Sequence, residues 1–174
     1  MHSRLRSLTL VVSAFAATTL LFSNPALAQA SPTKPASASS MPMMTPTAMN
    51  TSKDGVALHG YDPVAYFTAG APTKGQAMFS TSWNGATFHF ASAANRDAFV
   101  AQPDAYAPQY GGYCAMGVAG GAKFDIDPTA WRVENGRLYL NKDPRTQKVW
   151  LRDVPGNIAK ADSKWPTVAG KPMR

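Results

Sequence analysis

MFSTSWNGATFHF, residues 78–90, decides the fold. Apolar and polar residues alternate on both sides of Asn84-Gly85, a dipeptide whose two positions accept the positive φ that a tight hairpin turn demands. The stretch predicts a β-hairpin. WRVENGRLYL, residues 131–140, repeats the pattern around Asn135-Gly136 and predicts a second one.

The flanks of both hairpins predict short helices. In HGYDPVAYFTAG, Asp62 caps a helix opened by Pro63 and closed near Gly70, proline being favoured where its missing N–H has no partner to lose. Ser92 caps a helix through AANRDAFVAQ, with Ala94, Ala98 and the Phe99-Val100 pair facing inward and Pro103 ending it. Asp143-Pro144 repeats the Asp-Pro opening ahead of RTQKVWLRDV, and a last helix is expected from about Asn157 to Lys164. YGGYCAMGVAGG lies between the two units, its glycines suggesting a tight loop. The fold class that follows is α+β: one small domain of antiparallel hairpins packed with short helices.

The N-terminal part has another character. Residues 1–28 hold Arg4 and Arg6, an apolar run from Leu8 to Phe22, and small residues at Ala26 and Ala28, the pattern of a cleaved signal peptide. The run is too short to span a bilayer, which takes about 20 residues. A periplasmic or secreted protein without a transmembrane segment is expected. Residues 29–53 are rich in Ser, Thr, Pro and Ala, show no period of strand or helix, and predict a disordered linker. Its methionines, Met41, Met43, Met44 and Met49, are soft donors of the kind Cu(I) favours, or simply residues that a tail tolerates. The domain itself is expected over residues 54–168, with a C-terminal tail at 169–174.

The 17 basic and 10 acidic side chains give a net charge of +7. The surplus sits in residues 123–174, with eleven basic and six acidic side chains. Such a surface suits an anionic partner or simply a solvated basic face. Arg145, Lys148 and Arg152 form a stripe expected to face solvent. Nucleic acid is not expected as a partner in an exported protein.

GYDPVAYF at residues 60–67, FxSxxNRDAFxAxPDAYAPQYGGYCAMGVAGG at 90–121 and VENGRLYLN at 133–141 together resemble the YHS-domain family in its exported bacterial form. The resemblance spans essentially all of residues 54–168. It implies a small α+β fold, a relation to heavy-metal-associated cysteine modules and a capacity for metal binding, and it implies no reaction. One departure matters. Cysteine-rich members bring several thiols to a metal, whereas this chain has only Cys114, so a zinc site built from cysteines is excluded by count.

A single thiol forms no internal disulfide. Three roles remain open for Cys114: a small buried hydrophobe, a soft metal ligand, or a reactive thiol. As a ligand it would be joined by Met116 and by an imidazole from His59 or His89; thiolate, thioether and imidazole suit copper, with zinc the other candidate. His89 alternates to the face opposite Phe88 and Phe90, which leaves His59 as the better co-ligand. Asp125 and Asp127, two apart, would share a face if they lie on a strand, or open a turn at Pro128.

No Ser-His-Asp order, nucleotide loop or HExxH occurs. The function expected is therefore a non-catalytic binding module with a soft metal at or near Cys114, Met116 and His59. Tyr61, Asp62, Tyr110 and Tyr113 are candidate binding residues. The rival is a protein- or ligand-interaction domain with a structural Cys114, using a tyrosine-rich face of Tyr61, Tyr66, Tyr106, Tyr110 and Tyr113. A thiol-dependent enzyme is the third alternative.

Overall fold

A computed structural model describes residues 49–174. The signal peptide expected at 1–28 and the linker up to residue 48, with three of its four methionines, lie outside the described residues. Residues 49–53 do not behave as a linker. Met49 packs against the core, and Asn50 is buried, its N–H donating to Gly111 O at 2.8 Å and its amide to Asp125 Oδ1 at 2.8 Å. Buried backbone and amide groups need such partners, so the folded part starts before Asp54.

Both hairpins form as read. Strands β1 (Gln76–Trp83) and β2 (Ala86–Phe90) pair antiparallel, as do β3 (Asp127–Glu134) and β4 (Arg137–Asn141). Asn84 and Gly85 have φ of 49° and 79°, and Asn135 and Gly136 have 50° and 71°. Each turn takes the left-handed backbone that Asn and Gly adopt at least cost.

Among the described residues six α-helices accompany the hairpins: α1 (Ala65–Thr68), α2 (Ala93–Ala101), α3 (Pro103–Tyr106), α4 (Ala115–Ala119), α5 (Pro144–Trp150) and α6 (Val154–Val168). The expected caps are present. Ser92 Oγ accepts from Asn95 N at 3.2 Å, and Asp143 Oδ1 accepts from Thr146 N at 2.7 Å. Four expectations need correction. Pro103 opens α3 rather than only ending α2, in keeping with its preference for a first turn. Val100 and Ala94 are exposed and only Phe99 of that helix is buried, because a nine-residue helix turns one narrow stripe inward. YGGYCAMGVAGG is not a loop throughout, since α4 lies inside it. Finally, α6 runs past Lys164 and holds Pro166, with Asp153 as its cap (Oδ1 from Gly156 N, 3.0 Å).

The two halves of the domain are built on one plan. In the first, Val56 bridges Thr87 in parallel; a turn follows in which Leu58, His59 and Gly60 all have positive φ; then come Tyr61, Asp62, α1, the bulged hairpin β1–β2 and the capped helix α2. In the second, Pro108 bridges Leu138 in parallel, and Tyr110, Gly111 and Gly112 take positive φ. Tyr113, Cys114, α4, the bulged hairpin β3–β4 and the capped helix α5 complete it. Even the irregularities match. The ladder shifts between Gln76 and Ser80 in one and between Asp127 and Trp131 in the other.

Two clusters form the core. One gathers Tyr66, Phe88, Phe90, Phe99, Leu138 and Leu140, and reaches Cys114; the other gathers Tyr110, Tyr113, Tyr139, Trp150 and Val168 beneath α6. Among the described residues, no helix is long and apolar enough to cross a membrane.

Candidate functional site

Superposing the two plans in sequence order places Cys114 where Asp62 stands. Each follows a left-handed turn and a tyrosine, each precedes a short helix, and each donates its N–H to the strand-entry segment: Asp62 N to Thr73 O at 2.9 Å, Cys114 N to Phe124 O at 3.1 Å. Cys114 caps α4. Asp62, expected to cap a helix opened by Pro63, stands ahead of α1, which begins at Ala65 with Val64 as its N-cap. Asp62 Oδ1 accepts from Val64 N at 2.8 Å and Ala65 N at 3.3 Å, whereas Cys114 Sγ accepts from Gly117 N at 3.4 Å.

Beyond these bonds the two diverge. Asp62 is fully buried, and its second oxygen accepts from Ala91 N at 2.8 Å and Asn95 Nδ2 at 2.6 Å. Four donors saturate the carboxylate and tie α1 to the end of β2 and the start of α2. Asp62, expected as a binding residue, is therefore a structural tie with no oxygen left to offer a ligand. Cys114 holds fewer partners. Its thiol is 1% exposed and donates weakly to Asn141 Oδ1 at 3.9 Å, and that same oxygen accepts from Met116 N at 3.3 Å. Asn141 is wholly buried, and its Nδ2 has no partner among the described residues. Burial pushes the Cys114 thiol pKa up, against the opposing pull of the N–H groups of Gly117, Lys142 and Met116.

A cavity of about 370 Å³ opens beside Cys114. Met116, Gly117, Phe124, Lys142, Thr146 and Arg174 are on its wall. Gly117 is required there, because a Cβ would come within 2.6 Å of the Phe124 ring. Lys142 Nζ lies 5.3 Å from the centre of that ring, a cation–π contact. Arg174 reaches the wall because the expected tail is tied down, its N–H donating to Lys123 O at 3.0 Å. The sequence did not single out Lys142, Thr146 or Arg174. They come from three separate stretches, and only the packing of β4, α5 and the C-terminus joins them.

The other sequence candidates are placed elsewhere. His59 Nε2 lies 2.9 Å from Asp125 Oδ1, and Asn50 donates to the same oxygen. Asp125 feels burial, which raises its pKa, but the hydrogen bonds of Asn50, Ile126 N–H and His59 outweigh it and hold the carboxyl low. Asp127 instead accepts from Thr129 N at 2.8 Å, so the two aspartates do not form an acid–base pair. Among the described residues no group of three or more His, Cys, Asp or Glu converges.

The tyrosine-rich face is not a surface. Tyr66, Tyr110 and Tyr113 are buried, and their hydroxyls donate to Pro128 O, Asp162 Oδ1 and Met49 O. Burial raises all three pKa values. Tyr61, half-buried, lies under Lys74 Nζ, 4.4 Å from the ring centre. Rings of this size were bound to fill the core of so small a domain.

Three comparisons with known proteins bear on identity. The family model for the YHS domain matches residues 64–110, from α1 to the turn before Cys114. No curated protein and no solved structure matches the chain.

Proposed function

Taking the chain as a YHS-domain protein, we propose that it is a non-catalytic binding module whose ligand occupies the cavity beside Cys114, acting in the periplasm or outside the cell. One observation carries the proposal. At the position where the first unit has a saturated carboxylate, the second has a thiol bordering open space, with a thioether, Met116, on the same wall. A soft metal is the ligand that two sulfur donors favour, and copper suits them better than zinc. Zinc takes four N, S or O ligands, and His59, the expected third donor, is engaged with Asp125. Cu(I) tolerates low coordination. Cys114 would supply thiolate and Met116 thioether, and binding must displace the thiol proton that burial retains. Enzymatic use of the thiol has no support in the surroundings, since no base is bonded to Sγ.

Anaerobic titration with Cu(I), read by native mass spectrometry, tests this. One copper per chain is expected, lost in Cys114→Ala and weakened in Met116→Leu. No copper in any form of the protein would remove the metal reading.

A further inference from the structure

The same cavity has a second chemical character, and it rests on the cavity being the binding site but not on metal. Two cationic side chains, Lys142 and Arg174, are on its wall with no Asp or Glu side chain among the lining residues; Asp143, next to Lys142, is engaged in capping α5. Phe124 and Met116 line the same cavity, with Lys142 Nζ over the Phe124 ring. Positive charge and apolar surface in one cavity select an amphiphilic anion over a free cation.

The first unit shows what such a space is built to hold. There the side chain of Asp62 brings a carboxylate oxygen to Ala91 N and Asn95 Nδ2. The counterparts in the second unit are Lys142 and Thr146; both line the cavity, and Thr146 N donates to Asp143 Oδ1. Cys114 is one atom shorter than aspartate and carries no charge in its thiol form. The second unit thus has a neutral thiol where the first has a carboxylate, and a lysine where the first has Ala91.

We infer that the cavity binds a small organic carboxylate, its oxygens facing Lys142 and Arg174 beside Cys114 and its apolar part against Phe124 and Met116. The cavity volume of about 370 Å³ falls in the lower range of small-molecule pockets, about 300–1,000 Å³.

The test is an amide-resonance titration of the whole protein with sodium butyrate, sodium phosphate and butylamine. Butyrate should give saturable shifts at Gly117, Gly120 and Lys142, and butylamine none. Lys142→Gln and Arg174→Gln should each weaken butyrate roughly tenfold, the value of one hydrogen bond to a charged group. Cys114→Asp, which restores the first unit's carboxylate, should fold and abolish butyrate binding. Should that variant fail to fold, the two charge-neutralised variants decide the matter. Absence of saturable butyrate shifts overturns the inference, as does saturation by phosphate alone or binding unchanged in both charge variants. The Cu(I) titration separates the two proposals. Copper without butyrate leaves the metal reading and sinks this one, whereas butyrate without copper does the reverse.

Discussion

The halves of this domain, residues 56–101 and 108–150, share a plan and differ in what stands at its centre. In the first, Asp62 is an anion that four donors consume completely. In the second, Cys114 makes a longer, weaker cap and leaves a cavity beside it. The difference teaches how a binding site arises without new architecture: the same turn, helix and hairpin become either a tie or a pocket, depending on whether the central side chain satisfies its neighbours. Buried N–H groups want an acceptor either way. Where the chain does not supply a strong one, a ligand can.

The largest test of this comparison is a pair of truncations. Asp62→Ala strands several buried donors and should cost roughly 3–5 kcal/mol in urea unfolding. Cys114→Ala removes one small group and should cost only about 1 kcal/mol. Equal losses would mean that the two positions do the same structural work and that the contrast is wrong.

Gly117 sharpens the comparison further. Its counterpart Ala65 is buried and carries a methyl, but in the second unit that methyl would collide with Phe124. Gly117→Ala should cost about 1–3 kcal/mol by forcing the ring aside, and the displaced ring should shrink the cavity and weaken any ligand. A neutral substitution with binding intact would show that Phe124 does not shape the pocket.

A smaller effect is expected at Trp150, which stands where the first unit has Phe99. Both are fully buried, and Trp150 Nε1 has no hydrogen-bond partner among the described residues. Trp150→Phe leaves a void but removes an orphaned donor, so the net change in thermal unfolding should stay within about 1 kcal/mol. A loss several times larger would mean that the indole has a partner.

The smallest effect concerns the tie between Asn50, His59 and Asp125. A carboxyl held low in the folded state adds stability above its unfolded pKa, near 3.9, and loses it as pH falls through the folded value. Asp125→Asn should therefore lie slightly below wild type at neutral pH, with the gap closing as pH drops below about 4. A gap that is constant with pH would assign the effect to packing.

Much of the plan could be read before any coordinates. Asn84-Gly85 and Asn135-Gly136 announced both hairpins because few other residues accept consecutive positive φ. Ser92 and Asp143 announced their helices through cap chemistry that depends on neighbours three residues away. Cys114 was singled out for its rarity. Met116 was named with it, but Lys142, Thr146 and Arg174 were not, because they join the cavity only through tertiary packing. The pairing of Asp62 with Cys114 was missed for a related reason. Their side chains differ, so the likeness lies in backbone geometry and donor arrangement that composition does not display. His59 failed as a co-ligand because a carboxylate from the second unit, Asp125, reached it first.

The helix α6 lies along the second unit like a strap. Trp165 sits 5.8 Å from the ring of Tyr110 and 6.4 Å from that of Tyr113, Asp162 accepts from the Tyr110 hydroxyl, and Lys164 Nζ donates to Ala119 O. Those contacts hold the turn that precedes Cys114 and the end of the helix that follows it. Tension applied to the C-terminus would peel this strap one aromatic contact at a time and loosen the frame around the thiol, while Asp62 and its four donors still clasped the first unit. Mechanically the molecule has a latch at its C-terminal end and a rivet in its N-terminal half.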